Sequence, residues 1–117
     1  MAPSPMRLRF HNALQAYVGN NIKLYFNPPE DLKLQIPCIR YSLSTFNVRH
    51  ADDQVHRAVP IYDVTLVTRD VDDPLIEKLV KFPGSRFDRT YRDSSLCYAT
   101  YRINNTFSNK EEIQNET

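Results

Sequence analysis

Apolar positions along the chain follow two different periods, and the changes between them divide it into elements. Met6, Phe10, Ala13, Leu14, Tyr17 and Val18 recur at steps of three and four, which predicts an amphipathic helix with Arg7, His11, Asn12 and Gln15 turned outward. Ser4 followed by Pro5 supplies an N-cap and a proline at the first helical position, and Gly19 a C-terminal stop. A second helix is predicted from Asp73-Pro74, with Leu75, Ile76, Leu79, Val80 and Phe82 facing inward and Lys81 and Pro83-Gly84 ending it.

Between and after these helices the period is two. Ile22, Leu24 and Phe26 alternate with Lys23 and Tyr25 until Pro28-Pro29 breaks the strand. Further strands are predicted from Cys38 to about Phe46 and from Ile61 to Arg69, the latter rich in β-branched and aromatic residues. A final hairpin turns near Arg92-Asp93-Ser94-Ser95. Strict alternation places Phe87, Arg89 and Tyr91 on one face of its first strand, opposite Arg86, Asp88 and Arg92, and puts Cys97, Ala99, Tyr101 and Ile103 on one face of its second. The order α-β-β-β-α-β-β predicts an α+β domain over residues 1–103, two helices packed on a mixed or antiparallel sheet of about five strands, followed by a polar tail over 104–117. The polar segment Asn47 to Pro60, NVRHADDQVHRAVP, reads as a connecting loop longer than an ordinary hairpin turn.

Composition narrows the functions open to such a domain. With 15 Lys and Arg against 14 Asp and Glu, the formal charge of +1 provides no long-range field for collecting phosphate backbones. Cys38 and Cys97 lie in apolar runs and read as reduced, buried thiols. No export signal and no membrane-length apolar stretch appears, so the expectation is a protein made and used inside a cell, without a membrane partner.

His50, Asp52, Asp53 and His56 place metal-binding side chains within seven residues, but neither an HExxH pattern nor a third-ligand spacing accompanies them. They read as solvated interface charges, and no metal is expected. Ser95 and Cys97 lack the context of an activated nucleophile, and two glycines cannot build a phosphate-binding loop. No catalytic residue and no cofactor is expected. Tyr91, Tyr98 and Tyr101 could form a base-stacking platform, yet Asp88 and Asp93 share their strands and no RNA-recognition signature is present. The alternating charges of Arg86, Asp88, Arg89, Arg92 and Asp93 suit either an ordinary solvated sheet face, where exposed ion pairs are common and weak, or a heterologous subunit interface that closes into a ring.

The stretch from Pro37 to Ile103 resembles the tail terminator, or tail completion, proteins of long-tailed, non-contractile bacteriophages. The resemblance lies in Pro37-Cys38-Ile39 with Tyr41, in Ala51-Asp52-Asp53, in Tyr62, Val64, Thr65 and Asp70, and in Phe87-Asp88-Arg89 with Tyr91. It implies a non-enzymatic virion protein, assembled in the host cytoplasm and residing at the tail-neck junction. A homo-hexamer would seat on the last tail-tube ring, halt its polymerisation and present a surface to the head-completion or connector protein, while DNA passes through the lumen without specific binding. On that basis Arg49, His50, Asp52, Asp53, Gln54 and Arg57 of the long loop are expected to contact the tail tube. The alternatives are a head-closure or neck adaptor ring and, more remotely, a small hydrolase using His50 and His56 or an RNA-binding module.

Overall fold

A computed structural model of the chain describes residues 4–51 and 54–106. The element order is α1 (Pro5–Val18), β1 (Lys23–Phe26), β2 (Cys38–Ala51), β3 (Gln54–Thr68), α2 (Pro74–Val80), β4 (Ser85–Asp93) and β5 (Leu96–Asn104). The five strands form one mixed sheet in the order β1-β2-β3-β5-β4, so this is the expected α+β fold. β1 runs parallel to β2 and every other neighbouring pair is antiparallel.

Both helices start as their sequences dictate. The Ser4 hydroxyl accepts from the Arg7 amide at the head of α1, and the Asp73 carboxylate accepts from the Leu75 amide at the head of α2, each ahead of a proline that has no N–H to lose. Gly19 stops α1 at φ 92°. The second helix ends earlier than expected: Lys81 is its cap, Phe82 lies beyond it but is buried, and Val80 is 44% exposed, not inward-facing. With only seven helical residues, α2 has room for one narrow buried stripe, which Leu75, Ile76 and Leu79 occupy.

The core is one layer deep. Phe10 and Leu14 of α1 and Leu79 of α2 pack on a single side of the sheet, against Leu24, Ile39, Tyr41, Tyr62, Val64, Leu66, Ala99, Tyr101 and Ile103. Phe10 stacks on Tyr62 with ring centroids 4.5 Å apart and meets Tyr41 and Phe82 edge-on. No described helix covers the other side of the sheet. Cys38 and Cys97 are both free and buried, as expected. They occupy opposite sides: Cys38 pairs with Val67 and Cys97 with Thr68, positions one residue apart on the intervening strand.

Two further expectations fail, both because a strand carries an extra residue or continues further than its composition suggests. Asn47 to Pro60 is not a loop. β2 and β3 stay paired from Phe46 opposite Pro60 to Ala51 opposite Gln54, with one shift of register between Arg49 and His50, and together form a two-stranded ribbon beyond the sheet. Polarity misled here because a ribbon without a sheet beneath it has no core-facing side to mark with apolar residues. In the last hairpin a bulge at Asp88 breaks the alternation: Phe87 pairs with Tyr101, but Arg89 pairs with Thr100. Phe87, Thr90 and Arg92 therefore lie on the helix side, and Arg86, Arg89 and Tyr91 on the open side. The turn itself, Ser94-Ser95, falls where it was expected.

Candidate functional site

Three surfaces of this fold have something to offer a partner. The first is the ribbon and its base. Because β5 pairs with β3 only from Ile61 onward and β1 with β2 only as far as Tyr41, the strands beyond Thr45 and Ile61 pair only with each other among the described residues, save that the Pro60 carbonyl accepts from the Asn105 amide at 2.8 Å. Six residues of strand extend the ribbon by about 20 Å, consistent with a molecule 51 Å long and 29 by 26 Å across. A second bulge, at Ser44, lets Leu43 and Phe46 both face the helix side, where strict alternation would have sent Phe46 to the opposite one. There they join Met6, Phe26, Pro60 and Tyr62 around an apolar cleft of about 340 Å³. Leu43, Phe46 and Val48 are each 40% exposed or more, an apolar row along the ribbon that no described part of the chain covers.

Of the residues expected to meet the tube, Arg49, His50, Gln54 and Arg57 lie on this ribbon, with Arg49 opposite Arg57, His50 opposite Val55 and Ala51 opposite Gln54. Asp52 and Asp53 lie outside the described residues. The pattern could not reveal the apolar row, since Leu43, Phe46 and Val48 share a side only once the bulge is known.

The second surface is the open side of the sheet. Arg40, Thr65, Thr100 and Arg89 form one row across β2, β3, β5 and β4; Ser42, Asp63, Arg102 and Arg86 form the next. Arg102 donates to Asp63 at 3.3 Å and to the Ser44 hydroxyl at 3.3 Å, an exposed pair worth less than about 1 kcal/mol. Tyr91 and Tyr98 stack in parallel at 5.0 Å, with the Arg40 guanidinium over Tyr98 and that of Arg89 over Tyr91. Asp88 accepts from the Thr100 hydroxyl at 3.0 Å, which ties the bulge to its neighbour strand. Tyr101 does not join the other tyrosines: it is buried on the helix side, where its hydroxyl donates to the Ile76 carbonyl at 2.7 Å and burial pushes its pKa up. The proposed interface charges are thus divided, with Arg86, Asp88 and Arg89 on the open side, Arg92 on the other and Asp93 at the turn.

The third surface is the free edge of β4. This strand is exposed along nearly all of its nine residues and among the described residues pairs with β5 alone, leaving backbone donors and acceptors for another strand.

One polar cluster was missed by the pattern. His11 and Arg7, assigned to the outer face of α1, reach the Tyr41 hydroxyl: His11 Nδ1 lies 2.7 Å from it and Arg7 Nη1 donates to it at 3.3 Å. Burial first, and then the Arg7 charge, hold the His11 pKa below its ordinary value of 6.5. Among the described residues no cluster of three or more His, Cys, Asp or Glu side chains could hold a metal ion, and no helix is long and apolar enough to cross a membrane. No protein-family profile matches the chain, and no curated protein matches its sequence.

Proposed function

We propose that this protein is a tail terminator of a long-tailed bacteriophage, a structural subunit that assembles into a ring on the end of the tail tube, halts tube growth and offers the opposite surface to the head connector. The observation that carries the reading is the β2–β3 ribbon with its uncovered apolar row of Leu43, Phe46 and Val48. A monomer gains nothing from keeping such a row in water, whereas a ribbon projecting from a compact sheet can lie across a neighbouring subunit or the terminal tube ring and bury it. The exposed edge of β4 supplies the lateral contact between neighbours through backbone hydrogen bonds, independent of side-chain charge. The resemblance from Pro37 to Ile103 gives the reading its specific content. Capping then follows from geometry: the ring occupies the acceptor surface of the tube and presents no second copy of it.

The test is a phage carrying Phe46→Asp and Val48→Asp in this gene. The expected phenotype is tails of irregular, excessive length beside unjoined heads, with the mutant protein soluble and folded. Heads filled but leaking DNA, with tails of normal length, would instead place the protein on the connector as a head-closure ring.

A further inference from the structure

The chain's near-zero charge conceals a one-sided distribution. Asp70, Asp72, Asp73 and Glu77 gather at the start of α2, where Asp70 and Asp73 also accept backbone amides. The open side of the sheet carries Arg40, Arg86, Arg89 and Arg102, with Lys23 at its β1 edge. Of the carboxylates on that side, Asp63 is committed to Arg102 and Asp88 accepts from the Thr100 hydroxyl. Arg86 stands directly opposite Arg102 across the β4–β5 pair, a like-charge juxtaposition that costs stability unless an anion lies over it. Among the described residues Arg40, Arg86 and Arg89 have no carboxylate within ion-pair distance. Two of the three are held on aromatic faces, Arg40 on Tyr98 and Arg89 on Tyr91, which positions the guanidinium groups without neutralising them.

We propose that the open face of the sheet binds the phosphodiester backbone of duplex DNA, through Arg40, Arg86 and Arg89 and without reading sequence. Planar guanidinium forks suit phosphate oxygens. Arg40 and Arg89 stand three strand spacings apart in one row, about 14 Å, far enough to meet different phosphates of one duplex. A duplex fits better than a single strand. Single strands are gripped by stacking bases on free aromatic faces, and here Tyr91 and Tyr98 are already stacked on each other and capped by arginine. The inference does not rest on the ring reading, since it concerns a face of the isolated subunit, and each can fail without the other.

Fluorescence anisotropy of a labelled 20-base-pair duplex with the purified full chain tests it. Three phosphate contacts predict that affinity falls about 40-fold between 25 and 100 mM NaCl. Arg86→Gln with Arg89→Gln should reduce that fall to about 3-fold and weaken binding at 25 mM, while Lys78→Gln with Lys81→Gln, the same charge removed at α2 on the helix side, should leave both unchanged. Equal effects from the two double variants would overturn the proposal, because net charge alone would then explain binding. It is also overturned if a single-stranded dT oligonucleotide binds more tightly than the duplex, if poly-glutamate displaces the duplex at equal charge concentration, which would reassign the face to an acidic protein surface, or if no salt-dependent binding is seen.

Discussion

His11 shows how a single side chain ties the helix to the sheet. Its folded-state pKa lies below the unfolded value of 6.5, so between those two values the unfolded chain binds more protons. The stability that neutral His11 confers is therefore complete above pH 6.5 and is lost as pH falls through the folded pKa. His11→Gln should make the melting temperature less sensitive to pH between 5 and 7, measured against the parent by calorimetry; an unchanged slope would show that the imidazole titrates as it does in water. Tyr41→Phe removes the group shared by His11 and Arg7 and should cost about 1 kcal/mol or somewhat more, because its partners lose a part-buried hydroxyl. Gly84 makes a different demand. Its φ is 82°, and a Cβ there would run into the Asn104 carbonyl, a backbone atom that cannot swing aside. Gly84→Ala is expected to destabilise by more than about 1 kcal/mol in urea unfolding.

At the scale of elements, the ribbon and the sheet should separate cleanly. Among the described residues no core side chain lies between Asn47 and Val59, so replacing residues 47–59 by Asn-Gly should leave the core intact and close β2 onto β3 through a turn suited to their twist. The shortened protein should unfold cooperatively at nearly the parent temperature yet fail to restore tail length in a phage lacking the gene. Retention of uniform tails would remove the ribbon from the capping surface. The strands also fix the thiols. Burial raises the Cys38 pKa, more than the Arg40 charge lowers it, and neither Cys38 nor Cys97 is exposed. A thiol reagent should label both slowly in native protein and rapidly in denaturant. The two cannot form a disulfide with each other, since β3 separates them by two strand spacings, about 10 Å, and their side chains leave opposite sides of the sheet.

For the whole molecule, the helices cover one side of the sheet only, and among the described residues most of the opposite face, apart from the buried Cys38 and Val67, lies outside the core together with the β4 edge and the ribbon. Assembly is the economical use of such surfaces: a heterologous contact joins unlike patches of successive copies and is satisfied throughout when the rotation closes. If the proposed tail-terminator function holds, electron cryomicroscopy of the intact phage neck should show this chain as a layer with sixfold symmetry directly above the tube, whatever the state of the isolated subunit. Any other symmetry at that layer would exclude the hexameric terminator.

The sequence by itself determined which segments become helices and where most strands run, because those depend on local signals: Ser4-Pro5 and Asp73-Pro74 at helix starts, period-two alternation in YDVTLVT, and a turn at Ser94-Ser95. It also placed Cys38 and Cys97 inside. Only the tertiary structure decided which side of each strand faces the helices. A bulge adds one unpaired residue and exchanges the two sides for all that follows, and whether Ser44 or Asp88 bulges depends on partners distant in the chain, Tyr62 and Ile61 for one, Tyr101 and Thr100 for the other. The same dependence hid the ribbon, whose pairing is a property of two strands at once, and the basic open face, whose arginines come from β2, β4 and β5 and become one surface only when the sheet is assembled.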